Sequence, residues 1–516
     1  MTHFANRVKK TIAMTMIMAL LLGLMPVATA FASQDNYHWV GTWASAQYWG
    51  DVNSGNGGIR SVGEVARDQL PNATLRQMIR TSVGGETIRL TFSNEYGEAP
   101  LEINAASVAR ANGNPGTSGI NAGTNTAVTF DGSRSVVIPA GEFVTSDAID
   151  FSVDALERIA VSTYFGELPN RITSHIAARA NSFVQSGNHI NSATLSGTTN
   201  THWFVLCNVD VYVPQHYRSI VVIGDSITDG FGITNEQYLR WVDILMNNLQ
   251  DNDATSHLSV INMGIGGNGL VGSAHSNPPA VQHLFQRDVL DQPGVGYVVF
   301  QIGVNNMAFS GSVSADAMIA AYQDMIDGAN ARGIKVYAGT ITPYAEDREY
   351  REVIRNTIND WMRQQYEEGR IFGLIDFDEL LRDPNNLHRL NPLFDRDGIH
   401  PTNGGYRLMG ERMFRQVYES ITTNIPRLVV TSAGEGATRG GNRRAGAIVN
   451  IDAGVAPEGM YFRNWTSSHR GVNFANAESK TTRFMMPSGY TTITANFGRI
   501  GGDAADELDG YGEVAD

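Results

Sequence analysis

Five residues recur along this chain in an order that could build an acyl-transfer site: Ser226, Gly267, Asn305, Asp397 and His400. Cleaving an ester with a serine requires a base for the hydroxyl, a group that orients the base, and donors already in place for the tetrahedral oxyanion. Asp397 and His400 are separated by three positions in Asp397-Gly398-Ile399-His400-Pro401-Thr402, so carboxylate and imidazole can meet across one turn. Histidine is the side chain whose pKa suits a base near neutrality. Ser226 stands in Gly224-Asp225-Ser226-Ile227, where the glycine permits a sharp exit and a serine that begins a helix leaves its own N–H free to donate. Gly267 lies in Asn262-Met263-Gly264-Ile265-Gly266-Gly267-Asn268-Gly269, a loop whose backbone N–H groups can come close to a ligand. Asn305, in Gly303-Val304-Asn305-Asn306, offers a side-chain amide. Taken singly, each motif has a plainer explanation: an N-cap serine, a flexible glycine turn, a turn asparagine, a structural histidine.

These residues are useful only if strands deliver them to one place. Ser219 to Ile223 is a continuous apolar-rich run that ends on Gly224, the pattern of a strand buried on both faces. Similar runs at 219–223, 258–263, 296–302, 334–341 and 371–376 alternate with helical patterns near 236–250, 279–290, 314–332, 347–368 and 404–422. In the first of these, Tyr238, Trp241, Val242, Leu245 and Leu249 fall on one face. Five successive βα units predict a parallel sheet with helices on both sides over 217–424, and ligands of such sheets sit beyond the C-terminal strand ends. Each candidate group follows a predicted strand.

On either side the pattern is β. Residues 36–216 show short alternating segments, among them Ile88, Leu90 and Phe92, then Ile149, Phe151 and Val153, with Asp131-Gly132 as a hairpin signal between 127–130 and 135–138. An antiparallel β-sandwich is expected here. The aromatics of Trp39 to Trp49 are expected to pack its core rather than stack on sugars. Residues 426–499 read as a small β module, and 500–516, with six acidic and no basic side chains, as a solvated tail. The tail lacks the ligand spacing of an EF-hand calcium site.

The four blocks together resemble the SGNH, or GDSL-type, hydrolases over roughly 218–422, with Ser226, Gly267, Asn305 and His400 matching the four name-giving residues and Asp397 three before the histidine. The resemblance implies a flavodoxin-like five-stranded SGNH fold in which Ser226 attacks the ester carbonyl, His400 takes its proton and Asp397 orients His400. The N–H groups of Ser226 and Gly267 and the Asn305 amide form the oxyanion hole, with no metal or organic cofactor. The family's third block usually reads Gly-x-Asn-Asp; here Asn306 replaces the acid, which puts the geometry of that loop in question. Trp39-Val40-Gly41-Thr42-Trp43-Ala44, Leu75-Arg76-Gln77, Val136 to Gly141, Ser146-Asp147, Arg287 to Leu290 and Thr342-Pro343 resemble a bacterial secreted subgroup with an N-terminal β-domain. Phe484-Met485-Met486-Pro487 and Thr491 to Phe497 resemble a divergent InlB B-repeat, usually a surface or spacer unit.

The bulk numbers fit this reading. The 516 residues carry 38 Lys and Arg against 52 Asp and Glu, a formal net charge of −14, which argues against a nucleic-acid partner. Arg7, Lys9 and Lys10, the apolar Thr11 to Pro26 and Ala28-Thr29-Ala30 form a signal-peptide pattern over 1–33. No later run reaches the ~18 apolar residues of a membrane span. The single cysteine, Cys207, excludes an internal disulfide and is expected as a small buried side chain. The expectation is a secreted esterase, with surface association through the C-terminal module, acting on short acyl groups, acetyl foremost, of polysaccharide. Lipase, lysophospholipase or arylesterase activity is the alternative within the family, and a non-catalytic carbohydrate-binding surface protein is the alternative outside it. His257, His275, His283 and His388 are expected to be surface or core residues.

Overall fold

The five apolar runs become one parallel sheet: Arg218–Gly224, Leu258–Gly264, Val295–Gln301, Lys335–Gly339 and Gly373–Ile375. They lie side by side in the order second, first, third, fourth, fifth. Strand order therefore reverses at the first strand, and the crevice for a ligand opens beyond its end. Ile220, Val221 and Val222 are fully buried, as a strand covered by helices on both faces must be. The computed structural model describes residues 36–51, 69–272, 279–309, 313–344, 349–422, 427–443, 446–487 and 491–500. The signal-peptide pattern of 1–33, His275 and all but the first residue of the acidic tail lie outside these.

The helices follow the expected positions with two local differences. The first begins at Trp241 rather than near 236, because Glu236 and Tyr238 hold left-handed φ values of 67° and 51°, incompatible with a helix. The segment at 279–290 divides into an α-turn, Val281–Phe285, and a wider π-turn, Gln286–Leu290. Ala315–Ala331, Glu349–Glu367 and Asn403–Thr422 complete the set.

The N-terminal strands form an antiparallel sandwich. One sheet runs Leu206–Pro214, Gly85–Ser93, Phe143–Thr145; the other centres on Ser182–Ser186, Ala73–Arg80, Arg158–Phe165 and Leu101–Arg110. Ile88, Leu90 and Phe92 point inward from one sheet onto Leu75, Ile79 and Val161 of the other. The Asp131-Gly132 turn forms, held by Asp147 accepting from the Asp131 and Gly132 N–H groups, but the expected hairpin is reduced to a single antiparallel bridge, Phe130–Ser133. Thr126–Val128 and Val136–Ile138 each pair with Leu101–Arg110, end to end along one edge, so a neighbouring strand outcompetes local pairing. Trp43 is buried edge-on to Trp203 at 5.0 Å, Trp39 lies under the Arg89 guanidinium and Trp49 against Tyr96, so these aromatics do pack. The Cys207 thiol donates to the Thr91 carbonyl at 3.3 Å.

The sandwich covers the edge of the parallel sheet. Leu258–Gly264 has a neighbour on one side only, and an uncovered edge strand invites aggregation. Here Ser82 Oγ accepts from the Val260 N–H at 2.7 Å, and Ser259 Oγ donates to the Gly41 carbonyl at 2.6 Å. Gly41 lets the strands come close: a Cβ there would lie 2.5 Å from Ile261 Cδ1, so that side chain would have to move. Ala44, Ala46 and Tyr48 are buried within the same core as the parallel sheet. The C-terminal module has its own core of Leu428, Val449, Ile451, Trp465, Phe484 and Ile493. Among the described residues, no helix is long and apolar enough to cross a membrane.

Candidate active site

The first strand ends on Gly224 because nothing larger fits: a Cβ would lie 2.2 Å from Thr228 Oγ1 and 2.5 Å from the Gln301 carbonyl. The chain then turns into the one-turn helix Ser226–Asp229. Its N-cap is Asp225, whose Oδ1 accepts from the Ile227 N–H at 3.0 Å. Ser226 is thus not the cap but the first helical residue, and its N–H has no carbonyl one turn back to bond. Burial pushes the Asp225 carboxyl up to about 7, its hydrogen bond from Ile227 opposing and the charge of Asp229 adding.

Three of the predicted residues form one continuous relay. Ser226 Oγ lies 2.8 Å from His400 Nε2, and His400 Nδ1 lies 3.0 and 2.9 Å from the two oxygens of Asp397. Asp397 Oδ1 also accepts from the N–H groups of His400 and Ile399, at 2.9 and 3.2 Å. The tight turn needs Gly398 at φ 90°, and Asp395 pins it by accepting from the Gly398 N–H. Asp397 is held below the usual carboxylate range: burial opposes this, but the hydrogen bonds from His400 prevail. His400 is held below the ordinary imidazole value, chiefly by burial, with Asp397 acting the other way and Arg179 and Arg396 reinforcing it.

The remaining two groups belong to a second linked pair of loops. Asn305 sits in the first turn of Val304–Ala308, which Gly303 enters at φ 127°, and its Nδ2 donates to the Asn268 carbonyl at 2.8 Å. That leaves the second amide hydrogen unspent, while Gly267, one residue before Asn268, is in the left-handed region at φ 74°. Asn306 supplies the loop restraint that the missing acid put in question. Fully buried, it accepts from the Leu270 N–H at 2.6 Å and donates to the Val271 carbonyl at 2.7 Å. An amide meets both needs, whereas a carboxylate could only accept. Asn305→Ala is expected to lower kcat by roughly 10²–10³, the loss of one oxyanion donor, with KM changed far less. Steady-state kinetics on a nitrophenyl ester checks it.

Four residues beside the relay carry no local sequence signal: His175, Arg179, Asp229 and Phe231. The turn that carries Ser226 is clamped by the β-domain, with His175 Nε2 3.0 Å from Asp229 Oδ1 and Arg179 3.5 Å from Asp229 Oδ2. Both members of the His175–Asp229 pair are about 4% exposed. Their meeting spans 54 positions and two domains, so no window of sequence could show it. His175→Ala leaves a buried carboxylate short of its partner and is expected to cost about 3 kcal/mol, read as a lowered Tm for the unit containing both domains. Phe231 packs against His400, ring centroids 4.2 Å apart and planes tilted by 30°. Of the histidines expected to be bystanders, His388 meets Glu352 at 3.1 Å and His257 lies against Tyr217 and His216.

Comparison with known proteins identifies two segments of the chain. Residues 222–408 match the GDSL-like lipase/acylhydrolase family, and 427–501 match the divergent InlB B-repeat domain. No curated protein matches the chain at a significant level. Similar solved structures include a lipolytic protein of the G-D-S-L family from Desulfitobacterium hafniense DCB-2, with 23% identity, 38% of this chain and 98% of that one covered, and a TM-score of 0.31. An acylhydrolase from Bacteroides fragilis NCTC 9343 gives 22%, 40%, 88% and 0.31. An acetylxylan esterase from Geobacillus stearothermophilus gives 18%, 39%, 94% and 0.32. The chain thus carries a GDSL-like acylhydrolase domain followed by a divergent InlB B-repeat.

Proposed function

We propose that this protein is an exported serine esterase that removes short acyl groups, acetyl foremost, from polysaccharide. The observation that carries the reading is the unbroken Ser226–His400–Asp397 relay at the end of the first strand. Ser226 Oγ attacks the ester carbonyl as His400 Nε2 takes its proton. Asp397 keeps the remaining proton of the imidazole on Nδ1, so that Nε2 faces the serine as an acceptor. The oxyanion is bound by the Ser226 and Gly267 N–H groups and the free hydrogen of Asn305. His400 then returns its proton to the departing alcohol, and water, activated by the same histidine, releases the acid.

Because His400 works as a neutral base, the rate should be level at higher pH and fall about tenfold per unit once His400 protonates. Burial lowers that pKa, so the falling limb belongs below pH ~6.5. A pH profile of kcat/KM that stays flat to pH 4 contradicts a histidine base. Export rests on the basic and apolar N-terminal pattern, and surface association on the C-terminal repeat; N-terminal sequencing of protein from the medium and from washed cells tests both. Acetate release from a panel of acetylated polysaccharides, beside nitrophenyl esters of increasing chain length, tests the substrate. A preference for long acyl chains would favour the lipase reading, and no turnover at all the binding-protein reading.

A further inference from the structure

The relay has two arginines at its border that the acyl-transfer chemistry does not use. The turn after the nucleophile hangs directly on it: the N–H groups of Gly230 and Phe231 both donate to the Ser226 carbonyl, at 2.9 and 2.8 Å. Tyr406 fixes the same turn from below by donating its hydroxyl to the Phe231 carbonyl at 2.9 Å. Arg179, from the β-domain, reaches this turn from one side, its guanidinium carbon 5.8 Å from the centre of the Phe231 ring. Arg396, four residues before His400, reaches it from the other. A Cβ on Gly232 would lie 2.4 Å from Arg396 Nε, so the guanidinium runs across residue 232 itself. Phe231 in turn packs against His400. Both cations therefore border the segment that touches the serine and the histidine.

Their donors are largely unspent. Asp397 turns both oxygens to His400, and Asp229 turns Oδ1 to His175, leaving Arg179 a single contact at 3.5 Å. Arg179 Nε is buried and has no hydrogen-bond partner. Arg396 is exposed and makes no ion pair among the described residues, and nearby Asp395 turns Oδ1 to the Gly398 N–H. The position of Arg179 is also imposed: it holds φ 57° beside Ala177 at φ 64°, with its carbonyl pinned by the Glu236 N–H at 2.9 Å. Left-handed non-glycine residues persist only where their surroundings over-determine them. Each guanidinium presents a planar fork that suits an oxyanion, a carboxylate in particular.

We propose that Arg179 and Arg396 form an anion subsite beside Ser226, and that the substrate is an ester whose sugar carries a carboxylate, an acetylated uronic-acid polysaccharide. The proposal rests on the esterase reading and sharpens its substrate. It gives the β-domain a direct part in recognition, since Arg179 comes from it.

The test measures acetate release by the full chain from acetylated galacturonate oligosaccharides and from acetylated xylo-oligosaccharides, which are neutral, with 4-nitrophenyl acetate as reference. The wild type should prefer the uronate ester, and its KM for that ester should rise with added salt. Arg396→Gln, at an exposed position, should lower the uronate-to-neutral ratio of kcat/KM about tenfold, the worth of one charge-assisted contact. Arg396→Lys should restore part of it, and Arg179→Gln should act in the same direction. Equal losses on both sugars, or no uronate preference in the wild type, would overturn the subsite while 4-nitrophenyl acetate turnover kept the esterase reading intact. An acetyl ester of glycerol phosphate preferred over the uronate would overturn the carboxylate assignment. Absence of turnover on all four acetyl esters would end the esterase reading and the subsite with it.

Discussion

Ser226→Ala is expected to lower kcat on a short-chain nitrophenyl ester by about 10⁵–10⁶ while leaving Tm unchanged. The size follows from the relay: without Oγ there is no atom for His400 to deprotonate, and no covalent intermediate forms. What survives is the modest effect of oxyanion donors acting on a water attack. The fold should tolerate the change because the side chain's contact is the one with His400, and removing a single oxygen from a site 7% exposed opens no cavity of consequence. A variant that folds and keeps its turnover would place the nucleophile elsewhere.

Asp397→Asn is the next largest effect, roughly 10³–10⁴ in kcat. The asparagine keeps its shape and one oxygen, and the Ile399 and His400 N–H groups, which both donate to Oδ1, will claim that oxygen. The NH₂ then faces His400 Nδ1 and donates to it. This stabilises the tautomer with hydrogen on Nε2, which points a donor at Ser226 where an acceptor is required. The loss should therefore appear in kcat with little change in KM or Tm. A loss below tenfold would mean that the imidazole finds its tautomer without the carboxylate.

The clamp on the turn that carries Ser226 ties the two domains together. His175, Arg179, Ser82 and Gly41 all come from the sandwich, and all touch the catalytic unit at its edge strand or at Asp229. Removing the sandwich would expose that edge and leave Asp229 without its partner, so the two regions are one unit in stability.

The amino-acid sequence by itself determined the parallel sheet, since five short apolar runs such as Ile220 to Ile223 alternate with helical patterns, the signature of successive βα units. It also pointed to the five candidate residues: Ser226, Gly267 and Asn305 follow strands of the sheet, and the Asp397–His400 spacing is local, whereas only the structure shows the helix Phe377–Leu381 and a short hairpin between the last strand and that pair. Where neighbours along the chain set the outcome, as in the alternation of Ile88, Leu90 and Phe92, the pattern was legible. Tertiary structure alone decided the rest. The Asp131-Gly132 turn specifies a reversal, but only the competing edge of Leu101–Arg110 decides what its arms pair with. Asn306 reads as a departure until Leu270 and Val271 are seen on either side of its amide. The Asp229–His175 pair and the two arginines beside Phe231 bring together residues distant in sequence, and hydrogen bonds across such separations leave no periodicity or spacing to read.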